Sequence, residues 1–400
     1  MLAAAPCMAA GPYSFGATQS VSRESNLLRA ESGQVVPDGL SRSDTVYSTV
    51  VRGGIDQTIG RQRLFGDASL RRTQFQRNSV YDSAGYRLAG GLDWATVERL
   101  SGSLTWSAQR QLASFSNDEA GILARRNVER TRQVESALRW GVSARLAAEA
   151  ALTWRDVDFS APEFASRDFR QRSVYLGLRH ELSGAAWWSM GLRQARGNYP
   201  QFRRAADGSF QADHFERQEL DLRAALRPSG ASDLEARLGL GRTRYDRATS
   251  RDVSGLFGTL AWNWRPSGRL RMRTQWSRDP SQDSYFLETN FGRGTLSYDR
   301  VATTFQLRAD HSLTAKTSWS AAWGWTDRSL TRSIEVASVA VPSLRSEDRT
   351  YQYAIGLRWQ PTRSLLVGLD VNAEERREGS LLSRPYRASS ISTFGQLSLP

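Results

Sequence analysis

Three histidines, one cysteine and many arginines at alternating positions are the residues of this chain with chemistry to offer. His180 and His311 stand where Trp264 and Trp359 stand in an internal repeat, which reads as a place at a membrane interface rather than a catalytic one. His214 follows Asp213 in a long polar connection. A Ser-His-Asp arrangement needs only neighbours in space, and nothing in the spacing here selects one. Gly239-Leu240-Gly241 falls on a strand, not at a strand-to-helix turn, so it is no phosphate loop; its glycines face the polar side, where they save space. The single cysteine, Cys7, rules out a disulfide scaffold and a cysteine-based zinc site. The chain therefore reads as a non-enzyme, with no catalytic, cofactor or metal residues.

Arginine dominates the charge. The 54 basic residues outnumber the 41 acidic ones for a net charge of +13, and Lys316 is the only lysine. Nucleic-acid binders commonly concentrate lysine and arginine in runs or stripes. Here the arginines are dispersed and mixed with Asp and Glu, without a block of five like charges, so a nucleic-acid partner is not expected. No stretch approaches the ~18–20 consecutive apolar residues of a transmembrane helix.

The elements that carry these residues have period two. Leu270-Arg271-Met272-Arg273-Thr274-Gln275-Trp276-Ser277 alternates strictly, and so nearly do Glu219–Leu226, Leu234–Gly241, Val174–Arg179, Val134–Trp140 and Phe305–Asp310. Alternation of this kind makes strands with one apolar and one polar face. The runs are about 9–13 residues, longer than the ~5–6 of globular strands and long enough for a tilted strand to cross a membrane. Short turns at Arg227–Gly230, Arg265–Arg269 and Gln360–Arg363 alternate with long connections at Asn117–Arg130, Asn198–Phe215, Asp279–Arg293, Ser333–Glu347 and Arg376–Ala388.

This layout predicts an all-β, transmembrane, antiparallel up-and-down barrel of about eighteen strands (16–18) in the outer membrane, with short periplasmic turns and long external loops. The first strand, Tyr13–Ser22, and the stretch around Tyr285–Phe291 are the weakest in pattern. Residues 11–400 read as one barrel domain. Met1–Ala10, rich in small residues, reads as the remnant of a signal peptide. Closure of a barrel removes strand edges, so a monomer is expected.

Two sets of site residues follow. Trp94, Trp140, Trp264 and Trp359 fall at turn-proximal strand ends on the apolar face, as membrane-interface aromatics do. The polar face carries Arg179, Arg223, Arg237, Arg271, Arg273, Arg308 and Arg358, which would line a lumen together with Glu and Asp. An arginine excess there would favour anionic solutes; a ladder of Arg–Glu pairs that holds the wall is the plainer use of the same residues.

The hairpins also carry a family resemblance. Gly60–Phe65, Gly191–Arg193 through Gly197-Asn198-Tyr199-Pro200, Phe215–Leu222, Arg251–Leu256, Trp264–Leu270 and Trp359-Gln360-Pro361 resemble, in order and spacing, the EpsL-type outer-membrane proteins of exopolysaccharide biosynthesis operons. The resemblance implies a barrel serving polysaccharide synthesis or export. Exopolysaccharide, outer-membrane lipid and periplasmic synthesis or export machinery would be its partners. Arg196, Tyr199 and Arg217 flank the Tyr-Pro segment and would contact glycan at the outer mouth. The alternative is a passive porin-like channel for small, anionic solutes.

Overall fold

In the computed structural model, residues 12–113, 115, 122–204, 209–247, 252–280, 300–336, 339–377 and 384–399 are described. Met1–Ala10, Cys7 and the stretch around Tyr285–Phe291 lie outside them. The alternating segments form β1 (Tyr13–Glu24), β2 (Asp44–Ile59), β3 (Gln62–Phe75), β4 (Ser83–Ala95), β5 (Leu100–Leu112) and β6 (Val128–Gly141). Next come β7 (Leu146–Phe159), β8 (Phe169–Ser183), β9 (Ala186–Arg204), β10 (Phe210–Ser229), β11 (Ser232–Tyr245) and β12 (Val253–Trp264). The last are β13 (Leu270–Pro280), β14 (Arg300–Ser312), β15 (Thr317–Val336), β16 (Val339–Trp359), β17 (Leu365–Arg377) and β18 (Tyr386–Leu399).

Each strand pairs antiparallel with its sequence neighbours, and β1 pairs with β18 from Phe15↔Leu399 to Glu24↔Ser390, closing an 18-stranded barrel. Closure satisfies every strand edge, which is the condition for β-structure to span lipid. Register sorts the faces. In β8 the residues Val174, Leu176 and Leu178 point outward and are 45–61% exposed, while Gln171, Ser173 and Tyr175 point inward and are buried. Leucines exposed around the outside and polar groups within are the inverse of a soluble core, and place the barrel in the outer membrane of a Gram-negative cell.

The turns show why the short connections are short. Ile59 pairs with Gln62, so two residues suffice between β2 and β3, and Gly60 supplies the left-handed conformation (φ 61°) that such a tight turn needs. In the longer turns a hydroxyl caps the next strand. Ser143 Oγ accepts from the Leu146 N–H at 3.1 Å, Ser267 Oγ from Leu270 at 3.2 Å and Thr362 Oγ1 from Leu365 at 3.1 Å. The repeated Pro-Ser/Thr of the sequence is therefore turn chemistry.

More than half of the strands exceed the expected 9–13 residues, the longest being β9 with 19, β10 and β15 with 20 and β16 with 21. Much of the expected connection Asn198–Phe215 is thus strand, and so is every described residue of Ser333–Glu347. Above the lipid the outward residues turn polar, so hydropathy stops alternating while the hydrogen-bonded ladder continues. His214 accordingly lies on β10, facing outward, with Asp213 inward, fully buried and accepting the Arg247 N–H at 2.9 Å.

The connection between β1 and β2 folds back over the mouth. Leu27 and Leu28 pack on Phe75 and Tyr81, with Val36, Leu40 and Leu112 around them. Asn78 fastens it: its Oδ1 accepts the Ser41 N–H at 2.7 Å, and its Nδ2 donates to Ser41 O and to the buried Asp44 carboxylate. Leu27-Leu28 and Val35-Val36 are the apolar signal for this loop in the sequence.

Candidate functional site on the inner wall

The inner faces of β8–β11 carry a lattice of arginine, carboxylate and aromatic side chains. Asp221, fully buried, receives Arg193 Nη2 at 3.3 Å, Arg223 Nη2 at 3.1 Å and Arg237 Nε at 3.1 Å. Glu219, one residue pair along the same face, receives Arg237 Nη2 at 2.5 Å and Arg217 Nη2 at 2.6 Å. The guanidiniums of Arg223 and Arg193 lie 4.4 and 5.5 Å from the centre of the Tyr175 ring, and that of Arg217 lies 5.2 Å from Phe257. Charges this buried are tolerable only when paired: Arg223 forks Asp221, Arg237 bridges Asp221 and Glu219, and Arg217 lies against Glu219 as an ion pair. Close approach is bought by glycine at two points. A Cβ on Gly239 would collide with the Glu219 carboxylate, and one on Gly191 with the Tyr175 ring and the Leu176 backbone.

Toward the loops the same strands present an aromatic row. Phe169, Tyr199, Phe215 and Tyr245 follow one another across β8 to β11 at centroid separations of 5.8, 5.9 and 5.8 Å. All four are buried, with Tyr199 only 1% exposed. Beside them the 3-10 turn Pro162–Arg167 sets Phe164 on Phe159. At its end, Asp168 Oδ1 accepts the Phe159 N–H at 2.8 Å. Burial, with Asp158 and Asp156 nearby, pushes the Asp168 carboxyl up to about 6.

The wall of β13 and β14 is arranged differently. Asp310 is forked by Arg308 of its own strand at 2.7 and 2.5 Å. Arg271 stands opposite Asp310 in the ladder, and Arg273 opposite Arg308, both exposed. Among the described residues, neither has a carboxylate at ion-pair distance; Arg273 reaches only the Gln275 amide oxygen, at 3.4 Å. Elsewhere on the inner wall, Arg358 meets Asp370 at 2.6 Å and Arg179 lies between Glu181 and Glu149 at 3.3 and 3.9 Å.

Of the sequence-selected arginines, Arg179, Arg217, Arg223, Arg237, Arg271, Arg273, Arg308 and Arg358 face inward, and the first four sit on neighbouring strands with Arg193, which the sequence reading passed over. Arg196 does not: it lies on the outward face, 3.2 Å from Glu216. Gly191, Arg193, Ala195, Gly197 and Tyr199 occupy the inward parity, so Arg196 must point out. Tyr199 points inward but is buried on a strand rather than displayed on a loop. Trp94, Trp140, Trp264 and Trp359 lie outward at the turn-side ends of β4, β6, β12 and β16. Trp264 stacks on Trp262 at 5.4 Å. His180 and His311 share that rim, each 5.9 Å from an outward tryptophan, Trp188 and Trp319.

The lattice of β8–β11 holds an arginine excess, four guanidiniums on two carboxylates, but holds it buried against the wall. Its guanidiniums are largely bonded to carboxylates, whereas Arg271 and Arg273 of β13, like Arg52 of β2 and Arg71 of β3, face inward without a carboxylate at ion-pair distance among the described residues.

No family model matches the chain, and no curated protein matches it either. Among solved structures it is similar to the outer membrane protein OpdK of Pseudomonas aeruginosa, at 12% identity and a TM-score of 0.48, covering 97% of this chain and 99% of that one. OccK2 (OpdF) of the same organism matches at 13% identity and a TM-score of 0.49, covering 97% and 98%.

Proposed function

We propose that the chain is an outer-membrane channel for small polar solutes, with a preference for anions set on β13 and β14. A closed barrel of 18 strands with a polar inner wall has the girth of an aqueous pore. The observation that carries the preference is the pair Arg271 and Arg273, exposed on that wall without a carboxylate among the described residues. Such exposed cations attract a passing anion, while the arginines of β8–β11 are bonded to the wall and have few donors left to offer it. In planar bilayers under a salt gradient, the wild-type chain should conduct and its reversal potential should report anion preference. Arg271→Gln with Arg273→Gln should lower the anion-to-cation permeability ratio severalfold and leave the heat-modifiable gel shift unchanged. A closed or cation-preferring wild type would sink the reading.

A second reading is passage of exopolysaccharide, in concert with periplasmic synthesis or export machinery. It rests on the resemblance to EpsL-type proteins and on the aromatic row of Phe169, Tyr199, Phe215 and Tyr245, since sugar rings stack on aromatic faces. It requires that the row be uncovered during passage. Tyr199→Ala should then cut secreted polymer without lowering barrel levels, and deletion of the chain should leave polymer lost or cell-retained. Unchanged secretion in both strains removes this reading and leaves the channel.

A further inference from the structure

The outward face of β8–β11 changes character in three successive rows. In the first, Leu176, Leu192, Leu220 and Leu240 stand side by side across the four strands, 37–68% exposed. The first three, with Leu178 and Met190, border an apolar groove on β8–β10. The next row toward the loops is Val174, Gln194, Gln218 and Arg242, and the one above it Arg172, Arg196, Glu216 and Arg244. Rows on one face are about 6.6 Å apart, so apolar wall gives way to charge within roughly one headgroup's height. The two polar rows contain a single carboxylate, Glu216, already bonded to Gln194 at 2.5 Å and Arg196 at 3.2 Å. Among the described residues, Arg172, Arg242 and Arg244 are exposed and have no carboxylate at ion-pair distance. At the opposite rim the same strands end outward in His180, Trp188, Leu226 and Leu234, without arginine.

We propose that Arg172, Arg242 and Arg244, with the Gln194 and Gln218 amides, bind the phosphorylated headgroup of an outer-leaflet glycolipid whose acyl chain lies in the groove below. Guanidinium forks match phosphate oxygens two at a time. The apolar groove beneath favours a lipid over a free anion. This site is on the outside of the barrel and is independent of whatever passes through it; it rests only on the loop side facing the outer leaflet.

The test uses the full chain refolded in neutral detergent and titrated with a bis-phosphorylated lipid A and with the same lipid stripped of phosphate. The phosphorylated form should bind at least tenfold more tightly. Arg172→Gln, Arg242→Gln and Arg244→Gln together should abolish most of that ratio, with conductance and ion selectivity unchanged. Equal binding of the two lipids by the wild type overturns the proposal, as does an undiminished ratio in the triple variant. Inorganic phosphate that displaces the lipid at equal concentration overturns the lipid assignment. Should the triple variant fail to refold, the wild-type comparison of the two lipids decides alone.

Discussion

On β8–β11 the carboxylates of Asp221 and Glu219 are buried under four guanidiniums, whereas on β14 Asp310 is 42% exposed, serves Arg308, and leaves Arg271 and Arg273 in the open. Both walls follow from the same alternating Arg/Asp/Glu pattern. The difference is in the neighbours. Around Asp221, Gly191 and Gly239 remove side chains from the wall, so Tyr175 and Glu219 lie flat and the guanidiniums fold down onto them. On β13 and β14 the inward neighbours include Gln275, Gln306 and Thr304, and the carboxylate of Asp310 is taken by Arg308, so Arg271 and Arg273 stay exposed. The same residue type is therefore masonry on one side of the barrel and an available charge on the other.

That contrast can be broken most sharply at its two aspartates. Asp221→Ala should strand three buried guanidiniums and cost about 3–5 kcal/mol, read as a lower denaturant midpoint for loss of the heat-modifiable form. If Asp221→Ala proves as stable as the wild type, the lattice is not structural. Gly239→Val should come next: a side chain there displaces Glu219 from Arg237, at a cost of about 1–3 kcal/mol. Ion selectivity should not change, because no free charge is created or removed. Asp310→Asn should move stability by no more than ~1 kcal/mol, as exposed pairs do, yet strengthen anion preference in the bilayer by freeing Arg308. A large stability loss there would erase the distinction between the walls.

The smallest effect expected concerns pH at the mouth. The Asp168 carboxyl, raised to about 6, holds its proton more tightly in the folded protein than in the unfolded chain. Its contribution to stability is then full below about pH 4, where an ordinary aspartate also becomes protonated, and is lost as pH rises through about 6. Opening around Phe159 should be easier at pH 7 than at pH 4, measured by amide hydrogen exchange corrected for intrinsic rate. Asp168→Asn should flatten the profile.

How far the sequence reveals this depends on which period a feature obeys. The barrel, its strand number and the inward parity of Arg223, Arg237 or Arg271 all follow from period two, which is local. The same rule, carried past Leu192 and Gln194, puts Arg196 outside; it was hidden because the segment through Tyr199-Pro200 reads as loop once its outward residues turn polar. Which arginine meets which carboxylate is not local. Arg193, Arg223 and Arg237 converge on Asp221 because three strands are staggered so that residues 28, 2 and 16 positions away meet one oxygen pair. No spacing rule contains that stagger. The β1–β2 connection is illegible in the sequence for a related reason: its leucines are few and aperiodic, and their partners, Phe75 and Tyr81, lie a hairpin away.

That connection also spans the place where the ring is sealed. Ser25 N–H donates to Ser389 O at 2.9 Å, the Asn26 amide donates to Arg387 O at 2.9 Å, and Arg29 approaches Glu374 at 3.6 Å. These partners are separated by up to 364 positions along the chain, so nothing but completion of the circle brings them together, and joining so distant segments is entropically among the costliest contacts the molecule makes. The seam-side part of the loop, Ser25–Arg29, can make these contacts only after the final strand has zipped to the first. Its docked state is therefore a local signature of finished assembly, a clasp that closes last and would have to open first for the wall to part at its seam.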